Sequence, residues 1–316
     1  MSQHPAPDSH ARPDPGAGTS SIANGTRSML HGIAVTHLRS SDGATATIAD
    51  HGAHLLSWCP AGGMEALYLS PTSRYGATDA IRGGVPVIFP QFGEQGPGKR
   101  HGFARVRRWD LQSASIEDGA ALARLTLQGC LDHGQSVKAM QVGAGAGAAE
   151  FRLTLEVRLQ GAALELGLTI DNPGPTAWSC QAALHTYLRV AAIESASIAG
   201  LQGCAFIDQT AAGAVSSQPE ATLAFAAETD RVYRDAPSQL LLRDGLRRLG
   251  IAQQGFADTV VWNPGAVKAA ALTDLPQEGC RAFVCIEAAA IATRLDLAPG
   301  AHWHGVQRLS VLPQSA

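Results

Sequence analysis

The chain has 316 residues, 45% hydrophobic and 16% charged, with a formal net charge of -3. That composition can bury a sizeable core, unlike a disordered or coiled-coil chain, and the weakly acidic total offers no global field for nucleic acid or an anionic membrane surface. No apolar run approaches the ~18 residues of a membrane-spanning helix, and the six cysteines are scattered without a CxxC, a pattern expected of free thiols in a cytoplasm.

Residues 1–28 combine Pro, Gly, Ser and Ala with almost no large apolar groups. Ordering them would cost entropy that little burial offsets, so they are expected to form a disordered tail ahead of a single domain over 29–316. From His31 onward the chain turns to short apolar segments punctuated by Gly, Asp-Gly and Pro, among them GIAVTHL, ATATIADHGAHLLSW and AALARLTLQG. These are strand-length pieces with turn signals.

The densest polar segment begins at Ile81, IRGGVPVIFPQFGEQGPGKRHGFARVRRWDL, where Gly and Pro force a loop that carries Arg82, Lys99, Arg100, Arg105, Arg107 and Arg108. It is either a solvated charged loop or an anion site, in which forked guanidinium donors of Arg82, Arg100 and Arg105 match phosphate oxygens. In FRLTLEVRL, Phe151, Leu153, Leu155, Val157 and Leu159 alternate with polar residues, and LELGLTI repeats the alternation after a glycine turn, which predicts a β-hairpin with one buried face. The GAGAGAA run just before this hairpin is expected to be a loop and no phosphate cradle. Helical periodicity is hard to find. Many strands with few helices predict an all-β, antiparallel sandwich.

In AALHTYLRV the alternation groups Ala183, His185, Tyr187 and Arg189 on one face and directs Leu184, Thr186, Leu188 and Val190 mostly toward the core. His185 is either a hydrogen-bonded structural residue or a proton donor poised near neutrality. Glu287 interrupts the apolar strand FVCIEAAAIA. It either reaches solvent or is buried with a partner or a raised pKa, as suits a proton acceptor. His302 and His304 form His-x-His without a nearby third ligand, which leaves a metal site unsupported. No GxSxG, GxGxxG or GxxxxGK[ST] is present, so serine-hydrolase, dinucleotide and P-loop chemistry are not supported and no cofactor is expected.

Taken in order, RGGVPVIFPQFG, HGFAR, ALHTYLRV, DRVY, VVWNP and VCIEAA resemble the hexose-6-phosphate mutarotase branch of the aldose 1-epimerase superfamily, from about residue 31 to the end. The resemblance implies a galactose-mutarotase-like β-supersandwich with a sugar site in an open cleft, and an isomerase that needs neither metal nor cofactor. It implies His185 as general acid and Glu287 as general base, with substrate contacts from Arg82, Arg100, Arg105 and, in FIDQT, Asp208. Gln91 and His101 are further candidates to line the cleft. Arg100 stands where relatives commonly carry glutamine, so its contact either passes from a sugar hydroxyl to the phosphate or is lost to solvent. The implied reaction interconverts the α and β anomers of a hexose phosphate such as glucose 6-phosphate. Alternatives are a mutarotase for neutral aldoses and a non-catalytic carbohydrate-binding sandwich. The expected partner is the small-molecule sugar, with no nucleic acid and no membrane, and the expected state is a monomer.

Overall fold

The computed structural model describes residues 25–131, 149–245 and 247–313, in which apolar segments and glycine turns build antiparallel sheets of four, eight and nine strands. The predicted hairpin is the spine of the nine-stranded sheet. Ala149–Gln160 pairs with Ala163–Asp171, Gln160 opposite Ala163 and Leu153 opposite Ile170. Its inward residues, Leu153 to Leu159 on one strand and Leu164 to Ile170 on the other, are at most 1% exposed. Each such side chain contributes roughly 1.5–3 kcal/mol by leaving water. From the eight-stranded sheet, Cys180, Ala182, Leu184, Val284, Ile286 and Ala288 join the same core. The one α-helix among the described residues is Gly265–Ala269.

Two expectations need correction here. A strand, Thr26–Leu30, starts inside the segment read as tail, because it pairs with Ile33–Arg39 and because Arg27 forms an ion pair with Asp50 at 2.7 Å. Residues 1–24, and 143–148 of the GAGAGAA run, lie outside the described residues. The continuous strand expected through ALHTYLRV is broken at His185 and Thr186. Its two halves, Trp178–Leu184 and Tyr187–Arg189, both pair with Phe283–Leu297, and after a register shift between Cys180 and Ala182 they share one register across the break, with Leu184 opposite Ala288 and Tyr187 opposite Cys285. That shared register sets His185 directly across from Glu287.

Alternation along Phe283–Leu297 then separates two environments. Val284, Ile286, Ala288 and Ala290 enter the core between the sheets, while Phe283, Cys285 and Ala289 pack in smaller clusters on the other face, which Glu287 shares. Trp178–Leu184 behaves alike, with Ala183 on the side opposite Cys180, Ala182 and Leu184.

Behind the RGG segment, His54 is fully buried, with Nε2 2.7 Å from the Gly83 carbonyl oxygen and no hydrogen-bond partner for Nδ1. Burial pulls its pKa down to about 3. Folding therefore favours the neutral ring, and the unfolded chain takes up the extra proton once the pH falls below the ordinary histidine value of about 6.5. The stability this provides is full above 6.5 and is lost as the pH falls toward 3. Urea unfolding at pH 7 and pH 5 is expected to show a loss of about 2 kcal/mol from this group alone, and a smaller loss in His54→Gln.

Candidate active site

His185 Nε2 lies 3.3 Å from Glu287 Oε1, and the two residues are 7% and 1% exposed. Their remaining polar atoms, His185 Nδ1 and Glu287 Oε2, have no hydrogen-bond partner among the described residues. The backbone fixes the ring: the His185 N–H donates to the Pro86 carbonyl, and the Thr186 carbonyl accepts from Ile286 N–H, so the histidine is gripped from the strands on both sides. Burial holds the imidazole well below the ordinary histidine value, with Arg105 and Arg82 adding repulsion. It holds the carboxyl well above the ordinary glutamate value, with Asp230 pushing further up and Arg105 pulling back. Both charged forms are thus disfavoured singly, and the lowest-cost arrangement is one proton shared across the 3.3 Å contact.

The pair opens onto a cavity of about 310 Å³ that is also lined by Arg82, Arg100, His101, Arg105, Asp230 and Lys268. This volume lies at the small end of the ~300–1,000 Å³ typical of small-molecule sites. Tyr187 stacks on His185, ring centroids 4.9 Å apart and planes 13° from parallel, while His101 and Trp262 meet its edge. Arg82 already has partners: its guanidinium is 3.1 Å from Asp274 and donates to the Tyr187 hydroxyl, also at 3.1 Å. Arg105 differs. Its Nη2 donates to the Arg100 carbonyl, its Nε is enclosed without a partner, and it has no ion pair among the described residues. Burial lowers its pKa to about 10, which leaves it a cation at neutral pH. Arg100 is largely exposed, 3.7 Å from Glu94.

The loop that carries Arg100 and His101 is shaped by backbone. His101 and Gly102 both take positive φ, 64° and 69°, and a Cβ on Gly102 would lie 2.1 Å from the Phe89 carbonyl oxygen. Only glycine fits that approach, which is the physical content of HG in HGFAR. The His101 ring then accepts from the Gly93 N–H at 3.2 Å.

Two expected site residues lie elsewhere. Gln91 is fully buried beneath the loop, where its amide donates to the carbonyls of Gly93, Gly96 and Gly98 and accepts from the Gly98 N–H; it borders a separate cavity with Lys99 and Phe103. It braces the loop and does not line the pocket of His185. Asp208 caps the 3-10 turn Gln209–Ala211, its carboxylate accepting from Thr210 N at 2.9 Å and Thr210 Oγ1 at 2.6 Å. It sits one strand out, opposite Arg231, and is not among the residues lining the cavity. The carboxylate that lines it beside Glu287 is Asp230, on Thr229–Tyr233 opposite Trp262. The signal was present in DRVY: a carboxylate on a strand, as with Glu287.

His185, Cys285 and Glu287 bring one ligand atom each within 4.8 Å of one another, a spacing a metal ion could use. The surrounding charge opposes a cation. Arg82 and Arg105 border the same space, and burial, with Glu287 nearby, holds the Cys285 thiol well above its ordinary value and therefore protonated. His302 and His304 are exposed on the strand His302–Leu312, where His304 Nδ1 meets Thr169 Oγ1 at 2.9 Å.

Fold and site together define a β-sandwich built to move protons on a small polar molecule beside fixed positive charge. The profile of the aldose 1-epimerase family matches residues 35–310, and the chain belongs to that family; it is an isomerase of the mutarotase type that acts on sugars. A protein of Escherichia coli K12 named "putative glucose-6-phosphate 1-epimerase" is 35% identical over 250 residues, 77% of this chain and 79% of its own length. One of the same name from Cenchrus ciliaris is 29% identical over 90% of this chain and 86% of its own. The crystal structure of a "putative mutarotase" from Salmonella typhimurium superimposes with a TM-score of 0.79 at 26% identity, covering 92% of this chain and 94% of the other. No helix among the described residues is long and apolar enough to cross a membrane.

Replacing each aspartate separately tells the two positions apart. Asp230→Asn is expected to raise KM for the sugar by about tenfold, the loss of one charge-assisted hydrogen bond, whereas Asp208→Asn leaves KM at the wild-type value, as steady-state kinetics of anomer exchange would record.

Proposed function

We propose that this protein interconverts the α and β anomers of a hexose 6-phosphate, with glucose 6-phosphate as the first substrate to test. The observation that carries the reading is the cross-strand contact of His185 with Glu287 in a cavity bordered by Arg105, a cation without a carboxylate partner among the described residues. The names of the relatives from E. coli and C. ciliaris point to the same substrate.

In the proposed cycle, the pair starts as carboxylate and imidazolium. Glu287 takes the proton of the anomeric hydroxyl while His185 gives its proton to the ring oxygen, and the bond from C1 to the ring oxygen breaks to leave an aldehyde. Rotation about C1–C2 presents the other face, and the reversed transfers close the opposite anomer. The pair holds one proton throughout. It passes from the ionic form to carboxylic acid and neutral imidazole as the ring opens, and the second form is the one that burial favours. Desolvation thus draws the pair toward the open-chain sugar, and each transfer is worth roughly 10²- to 10⁴-fold in rate.

Arg105 and the exposed Arg100 supply the charge for the phosphate, by hydrogen bonds worth about 1.5–3 kcal/mol each. Arg82, already paired with Asp274, holds the Tyr187 ring against His185. Asp230 accepts from a sugar hydroxyl. The protein is further proposed to work as a monomer in the cytoplasm, a placement that its six free thiols suit.

Following α-glucose 6-phosphate and α-glucose to anomeric equilibrium by polarimetry or NMR tests the reading. The phosphate is expected to be the faster substrate, with His185→Ala and Glu287→Gln each slowing it roughly 10²-fold or more. Acceleration of neither sugar overturns the activity, and preference for the neutral sugar overturns the role of the arginines.

A further inference from the structure

Lys268 lines the cavity, yet neither the resemblance nor the reaction scheme uses it. Its Nζ is 2.7 Å from Glu228 Oε1 and 3.8 Å from Asp230 Oδ2. The seat of this lysine is built with some care. Asn263 Oδ1 accepts from the Gly265 N–H at 2.9 Å, and its Nδ2 donates to the carbonyls of Cys280 and Phe283, both at 2.8 Å. Gly265 has φ +60°, and a Cβ there would stand 2.7 Å from the Glu228 backbone nitrogen. The short helix Gly265–Ala269 can therefore rest directly on the backbone of Glu228, which brings Lys268 over both carboxylates.

A charge so committed is a poor phosphate ligand, since an incoming anion would first have to displace Glu228; Arg105 and Arg100 are the freer cations. What the lysine touches is the acid that faces the sugar. We propose that Lys268 is a positioning residue for Asp230: it keeps that carboxylate ionised and turned into the cavity as the acceptor for a sugar hydroxyl, with Glu228 holding the lysine in place. The proposal rests on Asp230 as a substrate contact.

The groups that face Asp230 explain why it needs such help. Glu228 from its own strand segment, Asp208 from the neighbouring strand and Glu287 from across the cavity are acidic; Lys268 and, at longer range, Arg100 are basic. Burial raises its pKa, Lys268 opposes this, and Glu228 reinforces it. Without the lysine, a desolvated carboxylate among three other acids takes up a proton more readily and loses the 3.8 Å contact that orients it. It also pushes on Glu287, so the lysine steadies the catalytic base at second hand.

The experiment compares wild type with Lys268→Met and Lys268→Arg by two readouts. Carboxyl ¹³C NMR, with the Asp230 resonance assigned from Asp230→Asn, follows the titration of Asp230 without substrate. Its midpoint is expected to move to higher pH in Lys268→Met and to return in Lys268→Arg. Kinetics of α-glucose 6-phosphate anomerisation are expected to show KM raised about tenfold in Lys268→Met, kcat changed less, and both recovered in Lys268→Arg. An unmoved Asp230 titration in Lys268→Met overturns the proposal, as does an equal defect in both variants. If wild type fails to accelerate anomerisation, the proposed function falls, while the titration still decides for or against the lysine.

Discussion

Everything in this site depends on a proton that two buried side chains must share. Glu287 sits on a strand whose opposite face is packed between two sheets, so it cannot escape to solvent without abandoning that packing. His185 is held across from it by the register of the neighbouring strand. A carboxylate alone in such a place is costly, and so is an imidazolium. Together they form a neutral unit whose internal proton can move at little expense. The scaffold supplies the desolvation, and the desolvation supplies the reactivity.

The walls divide the remaining labour by how each charge is compensated. Arg82 is neutralised by Asp274 and serves to hold an aromatic ring. Arg105 has no such partner among the described residues and borders the cavity near Glu287. Asp230, on the other wall, is balanced by Lys268. Of these three basic residues, Arg82 and Lys268 have a carboxylate within reach, and Arg105 has none among the described residues.

Much of the fold was legible, and for physical reasons. Period-two alternation in FRLTLEVRL and LELGLTI is unambiguous because one face of each strand is buried, and the observed hairpin follows it residue by residue. The sides assigned to Ala183, Leu184 and Leu188 also match, although the strand breaks at His185 where the backbone turns its N–H to Pro86. Alternation reports sides, not interruptions. The distance between His185 and Glu287 was beyond reach because it arises from strands a hundred residues apart. Asp208 and Asp230 show the same limit. Both stand on strands in locally plausible settings, and only the position of each strand in the sheet distinguishes a turn cap from a cavity wall. Gln91 had the right neighbourhood and the wrong direction, pointing into its own loop.

That last residue bears on how such a pocket can change over time. The loop from 91 to 101 keeps its path because one buried amide binds backbone carbonyls and an N–H, with Gln181 adding a hydrogen bond to the Phe92 N–H. None of these contacts reads the identity of Glu94, Lys99 or Arg100. A rim braced through its main chain can exchange its side chains while its course stays the same. Under the proposed function, in which Arg100 meets the phosphate, recognition at the mouth of the cavity is therefore free to drift from one sugar derivative to another, with the proton-sharing pair beneath left undisturbed.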